Sequence, residues 1–403
     1  MKIALYTIFR CTNYGAVLQA YALSRVLRGI LGDGSVDVIN HRMDPRDNHL
    51  LGKVANPNTP WFQRWRNKRK FAARYFHPEL FELRRQKTIC LIREHIRPTE
   101  RLYKSPGELK NLPAYDTVVV GSDQVWNPGL NHDFGQNQYL AANLPNNQDR
   151  VAYAASFGVS NLPEECRAEY RAALSRFRRI TVREESGAKI CRDVFSSVER
   201  SQTGGDCPQV VLQTGGDCPQ VVLDPTLLLT GDDWCSVAGT VPKVPAGRYV
   251  AAYWVRTLTD ADVFALVRIA RELSAPICLM SAGPMPKFAF PPEIAPYIEA
   301  DPFDFVRTFA GAAAVVTDSF HGLQFATIFR KPFVALGDIS DARSNASRLV
   351  DFCSRYDLSC GVRDIEGFRG CRDCSFADFA SFDAAALESD RNRSLEALKG
   401  LLP

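Results

Sequence analysis

The chain has no run of about 18 apolar residues, the length a membrane-crossing helix needs, so no transmembrane helix is expected. A secretory leader is not expected either. The opening MKIALYTIFRCTNYGAV has only a short apolar run, Arg10 interrupts it, and no small-residue cleavage site follows. It reads as a first core strand. There is little excess of charge of either sign: a formal net charge of +4 over 403 residues is too small to argue for nucleic acid as a partner. A disulfide framework is missing. The 12 cysteines are scattered, and several, such as Cys90, Cys278 and Cys353, sit in apolar contexts that suit reduced thiols in a cytosolic protein. Cys371 and Cys374 form a single CxxC with Cys360 upstream, but no second pair or neighbouring histidine, so a structural or incidental role is expected. No His/Asp/Cys cluster has ligand spacing, so no metal and no cofactor are expected. The dinucleotide fingerprint GxGxxG is absent from the strand-to-helix turn where it would act.

What remains is ordinary soluble composition, 46% hydrophobic and 23% charged, in a chain too long for one core; two domains follow. Short apolar runs alternate with helical patterns. The runs lie at 2–9, 36–40, 116–123, 150–158, 180–184, 248–255, 276–281, 314–319 and 332–336, with amphipathic stretches at 13–31, 163–179, 259–274 and 301–312 between some of them. This alternation predicts parallel βα architecture. The Pro/Gly-rich 240–248 divides the series in two. The expected fold is α/β, with two doubly wound, Rossmann-like domains facing across a cleft: residues 1–240, residues 241–382, and a C-terminal helix in 383–403 that packs back on the first.

Two stretches stand apart. QTGGDCPQVVL occurs at 202–212 and again, unchanged, at 213–223. A unit this short is no solenoid repeat. GGD lacks the lysine and spacing of a phosphate loop, and only the second copy runs into Asp224-Pro225-Thr226. It reads as a duplication, with one copy looped out. Residues 61–76, WFQRWRNKRKFAARYF, interleave basic and aromatic side chains. They read as a solvated helix whose aromatics cover the first domain, with contact to an anionic membrane surface as the alternative.

The candidate chemistry lies at carboxyl ends of the expected strands, where α/β proteins bind ligands. Asn13, Tyr14 and Gly15 open the first helix. Ser122, Asp123, Gln124 and Trp126 follow the apolar run VVV, and Ser156 closes the next strand. Arg183 ends another, and its guanidinium suits two-pronged binding of phosphate or carboxylate. Ser319, Phe320, His321 and Gly322 join a buried strand to an apolar helix. Asp318 or Ser319 can cap that helix, and its N-terminus attracts anions. Gly322 permits close approach.

Taken together, NYGAVLQAYAL, GSDQVWN, SFG, VREESG, LDPTLLL and TDSFHGLQFATIFRKPF resemble the polysaccharide pyruvyl transferase family, over residues 13 to 333. The resemblance implies a GT-B-like fold, phosphoenolpyruvate as donor, a sugar diol of a surface-polysaccharide precursor as acceptor, and a pyruvate ketal as product. It matches the family's histidine to His321 and an arginine to Arg183. With these come Ser319, Phe320 and Gly322 at the donor, Asp123 as proton acceptor or orienting group, and the other strand-end residues at the acceptor. Many members carry an arginine where this chain has Ser319. Its charge would then come from Arg183 alone, or from Arg330, Lys331 or Arg348. The expected partners are phosphoenolpyruvate and a glycan or lipid-linked sugar, at the cytoplasmic side of a membrane with peripheral contact to its inner face. A nucleotide-sugar glycosyltransferase and a non-catalytic glycan-binding relative remain the alternatives.

Overall fold

The computed structural model describes residues 1–41, 75–129, 138–196, 219–240, 247–287, 289–338, 346–358, 361–370 and 375–403. The basic-aromatic stretch as far as 74, the first repeat copy, Cys360, Cys371 and Cys374 lie outside them, as do residues 241–246 of the expected linker.

Apolar runs with a polar or glycine stop become short, buried parallel strands. In the first sheet these are β1 (Ile3–Tyr6), β2 (Val36–Val38), β3 (Thr117–Val120), β4 (Arg150–Ala155), β5 (Arg179–Val182) and β6 (Gln220–Val221), in the order β2-β1-β3-β4-β5-β6. The second sheet holds β7 (Val250–Trp254), β8 (Ile277–Ser281), β9 (Ile294–Pro296), β10 (Ala314–Thr317), β11 (Phe333–Gly337) and β12 (Val362–Asp364), in the order β12-β11-β10-β7-β8-β9. Every pairing within both sheets is parallel. The fold is therefore two parallel-sheet α/β domains, as expected. β6 lies in the second repeat copy, and Val222 continues its pairing by donating to the Val182 carbonyl at 2.9 Å.

Helix α1 (Tyr14–Leu31) follows β1 and is capped by Asn13, whose side chain accepts from the Gly15 and Ala16 amides. Helix α2 (Pro78–Leu91) belongs to the chain's first half yet docks on the second sheet. Phe81 joins Val250, Ala252 and Trp254 in that sheet's core, the Phe76 amide donates to the Met285 carbonyl at 2.9 Å, and Lys87 donates to the Glu299 carbonyl at 3.0 Å. The remaining helices are α3 (Arg167–Leu174), α4 (Glu185–Ser196), α5 (Gly231–Ala238), α6 (Asp260–Glu272), α7 (Pro302–Gly311), α8 (Phe320–Ile328), α9 (Ala346–Arg355), α10 (Ile365–Arg369) and α11 (Ala384–Leu401). Helix α11 crosses the other way. Ser394 Oγ accepts from the Leu223 amide at 3.0 Å, and the Leu401 carbonyl accepts from Arg178 at 2.8 Å.

Between the sheets runs one continuous apolar cluster, including Leu5, Val17 and Leu23 from the first half and Tyr253, Phe305, Phe325 and Leu398 from the second. Burial of this kind contributes about 25 cal/mol per Å², so the shared core fixes how the two sheets sit. Among the described residues no helix is long and apolar enough to cross a membrane.

Candidate active site

The turn after β10 is built by three short polar side chains with separate tasks. Thr317 Oγ1 donates to the Tyr253 carbonyl at 2.8 Å and accepts from the Ser319 amide at 3.1 Å. Ser319 is the cap of α8, its hydroxyl accepting from the Gly322 amide at 3.2 Å. Asp318 turns away and pins the loop after β7, accepting from the Val255 amide at 2.6 Å and from Arg256 N and Nε at 3.0 Å. Burial raises the Asp318 carboxyl, and these donors only partly offset it. Gly322 has to be glycine: a Cβ there would lie 2.3 Å from Thr317 Oγ1.

This turn projects His321 from the second sheet toward the first. Its Nε2 lies 3.5 Å from Asp224 Oδ2. Its ring packs on Gly15 of α1 so closely that a Cβ on Gly15 would lie 2.3 Å from Cγ and Nδ1. The first turns of α1 and α8 therefore meet around one imidazole, each offering helix N-terminal dipole charge. Asn13 Oδ1, half-buried, also accepts from the Tyr253 hydroxyl at 3.2 Å, tying α1's cap to the second sheet.

Asp224 ends the strand that β6 begins. Its Oδ1 accepts from the Thr226 amide at 3.0 Å and lies 2.8 Å from the Thr226 hydroxyl, which is 3.0 Å from Gln324 Oε1 on α8. Its Oδ2 accepts from Arg183 Nη1 at 2.7 Å. Arg183 also lies 3.4 Å from Asp123 Oδ1 and, through Nε, 3.5 Å from Glu184 Oε2. Glu184 in turn accepts from Ser156 Oγ at 2.6 Å. Burial works against both charges of the central pair. It would raise the Asp224 carboxyl, but His321 and Arg183 outweigh it and hold that group well below the carboxylate range. It would lower the Arg183 guanidinium, but Asp224, Asp123 and Glu184 hold it above its ordinary value.

Phe320 contacts two buried guanidiniums. Arg183 lies 4.9 Å from its ring centroid and Arg348, from the first turn of α9, 5.6 Å. Burial, and then repulsion from Arg183, brings Arg348 down to about 10. Of the arginines and lysine that could replace the charge missing at Ser319, Arg183 and Arg348 are the two on this ring. Arg330 and Lys331 follow the far end of α8, where Arg330 sits over Phe382.

The structure thus brings His321, Arg183, Asp123, Phe320, Ser319, Gly322, Asn13 and Gly15 into one neighbourhood, with Ser156 behind Glu184. Four expected cleft residues are placed elsewhere. Trp126 is wholly buried, its ring tilted against Phe157 with centroids 5.4 Å apart and its Nε1 donating to the Tyr139 carbonyl at 3.2 Å. Tyr14 is wholly buried between Arg84 and Phe305. Ser122 is buried with its hydroxyl on the Ala154 carbonyl at 3.1 Å. Gln124 accepts from Asn127 at 2.6 Å as part of a turn. Large side chains at strand ends fill space between layers as readily as they line a crevice, and spacing does not separate the two. Asp224, Glu184, Thr226 and Gln324 were not among the expected site residues. Asp224 had one signal, an Asp-Pro-Thr directly after an apolar run. Among the described residues no group of three or more His, Cys, Asp or Glu side chains is arranged to hold a metal ion.

Two facing parallel sheets with charged side chains converging between their strand ends define a two-domain α/β enzyme. A family model described as polysaccharide pyruvyl transferase matches residues 13–206 and 209–340. The chain belongs to that family, and it is a transferase. No curated protein matches the sequence. Similar solved structures include the UDP-GlcNAc 2-epimerase of Methanocaldococcus jannaschii, with 12% identity over 99% of this chain and 100% of that one and a TM-score of 0.47. The UDP-GlcNAc 2-epimerase of Neisseria meningitidis gives 9% identity, 99% and 100% coverage and 0.47. The E. coli ADP-heptose lps heptosyltransferase II gives 15%, 100% and 98%, and 0.33. Such similarity carries nothing about this site.

Proposed function

We propose that the protein transfers the enolpyruvyl group of phosphoenolpyruvate to a pair of hydroxyls on a sugar, forming a pyruvate ketal and releasing phosphate. The reading is carried by one observation: Arg183 and His321 reach the same carboxylate, that of Asp224, from opposite sheets. The donor is a small trianion. Arg183, whose Nε and Nη2 make no hydrogen bond among the described residues, and Arg348 both lie against Phe320 and attract the donor's phosphate and carboxylate. The N-terminus of α8 adds dipole charge, and together they take the place of the arginine that many relatives carry at position 319.

The chemistry requires an acid at the methylene carbon. His321 delivers a proton there, turning CH2 into CH3, while a sugar hydroxyl attacks the adjacent carbon. Asp123 takes the hydroxyl's proton. Phosphate leaves, and the second hydroxyl adds to the resulting oxocarbenium carbon to close the ketal. Its proton leaves with the phosphate. Asp224 holds the imidazole in line and stabilises its positive charge. The acceptor class is a polysaccharide precursor, a glycan or lipid-linked sugar, handled at the cytoplasmic face of a membrane.

The test is incubation with phosphoenolpyruvate and candidate sugars, read by phosphate release and product mass. His321→Ala should lose roughly 100-fold or more in turnover, the usual contribution of a general acid, with its thermal midpoint close to that of the wild type. Full activity in that variant would remove His321 from the acid role.

A further inference from the structure

Outside the constellation just described, the Arg84 side chain bridges both halves of the molecule. Arg84 on α2 is 1% exposed. Its Nη1 donates to the Ser281 carbonyl, and its Nη2 to the carbonyls of Thr12 and Ala282, each at 2.6 Å. Its guanidinium also lies 4.5 Å from the Tyr14 ring centroid and 5.1 Å from that of Phe81. Among the described residues it pairs with no carboxylate. Thr12 belongs to the loop after β1 and Ser281 ends β8, so this one group joins the carboxyl ends of strands from both sheets. Thr12 Oγ1 adds a parallel bond to the Ala282 carbonyl at 2.8 Å.

The position of that bridge matters. Thr12 directly precedes Asn13, the cap of α1, and Gly15 two residues on is in contact with His321. Burying a cation on carbonyl dipoles and ring faces, with no carboxylate among the described residues, costs free energy that an apolar contact would not. What the guanidinium supplies in return is direction: three donors in a rigid fork set the separation of three carbonyl oxygens. We infer that Arg84 is a positioning residue that locks the first turn of α1 against the second sheet and so fixes the geometry around His321.

The inference rests on the proposed reaction for its turnover readout only. The test compares full-length wild type, Arg84→Ala, Arg84→Lys and Thr12→Val by amide hydrogen exchange, and by kcat and KM with phosphoenolpyruvate and a sugar acceptor. Arg84→Ala should speed exchange at residues 14–17 relative to α6 on the outer face. It should also lower kcat by about 100-fold, the scale of an ångström-sized misplacement of reacting groups, with the donor KM within a few-fold. Arg84→Lys, which cannot span three oxygens, should fall between, and Thr12→Val should follow the same direction more weakly. Millimolar guanidinium should restore part of the kcat of Arg84→Ala. A merely structural arginine would instead lower the thermal midpoint and speed exchange throughout, with no rescue of kcat. Unchanged exchange at residues 14–17 in Arg84→Lys and Thr12→Val overturns the inference even where Arg84→Ala does not fold. So does an unchanged kcat of those two variants in an enzyme that turns over. A wild type with no turnover on phosphoenolpyruvate counts against the proposed reaction, and the exchange result alone then decides the role of Arg84.

Discussion

Arg183 and His321 share a single oxygen atom, Asp224 Oδ2, at 2.7 and 3.5 Å, although one residue follows a strand of the first sheet and the other opens a helix of the second. A carboxylate placed so serves both partners at once. It neutralises a buried guanidinium and faces an imidazole across the domain boundary. Disturbing it should therefore affect stability and turnover together.

Asp224→Asn keeps the shape and removes the charge. At neutral pH it should cost about 2 kcal/mol of stability, the scale of a hydrogen bond to a charged group, and most of the turnover. The sign of the pH dependence follows from the depressed Asp224 carboxyl. Its stabilisation is present above its unfolded value near 4 and is lost as pH falls from there toward the lower folded value. Thermal midpoints from pH 7 to pH 3 should show the gap between wild type and variant closing below about pH 4. A gap that widens on acidification would contradict the charge assignment.

Gly15→Ala sets helix propensity against fit. Alanine is favoured over glycine in a helix by about 1 kcal/mol, but its Cβ would lie 2.3 Å from the His321 ring. The ring has to move, so activity should fall at least about tenfold while the thermal midpoint changes by only a few degrees. Wild-type turnover in this variant would separate the α1 turn from the chemistry.

Arg348→Met should uncouple ligand-free stability from donor binding. The guanidinium is pushed down to about 10 by burial and by Arg183, so its charge works against the fold of the empty protein. Its removal should leave the ligand-free midpoint level or higher. The rise in midpoint that phosphoenolpyruvate gives the wild type should shrink in the variant. An undiminished rise would assign the anion to Arg183 without Arg348.

Deleting residues 202–212 should leave the fold and activity nearly intact, because β6 and Asp224 both belong to or follow the second copy. Soluble yield, circular dichroism and turnover check this. Collapse of soluble expression would show that the first copy is structural.

The sheets were legible wherever a strand was a run of apolar residues with a polar stop, as in β1, β3, β4, β7 and β10. Strands β9, Ile-Ala-Pro, and β12, Val-Arg-Asp, escaped because three residues at a sheet edge carry no apolar run of their own. Around the site, His321 and Arg183 stood out by residue type at strand ends. Asp224 did not, since an aspartate before proline reads first as a turn residue, and its two charged partners are 41 and 97 positions away in sequence, from 224 − 183 and 321 − 224. Trp126 and Tyr14 looked like cleft residues because a sequence shows where an aromatic stands and not which layer covers it.

Helices α2 and α11 each leave the half of the chain that encodes them and complete the other half. During synthesis α2 emerges nearly 200 residues ahead of Ser281, the partner of its Arg84. Phe81 has no core to enter until β7 and β8 exist, and the first sheet stays uncovered near Leu223 until Ser394 is made. Contacts so remote along the chain make assembly slow. Neither domain is complete until these contacts from the other half form, and a chain cut between residues 240 and 247 should give two incomplete halves rather than two proteins.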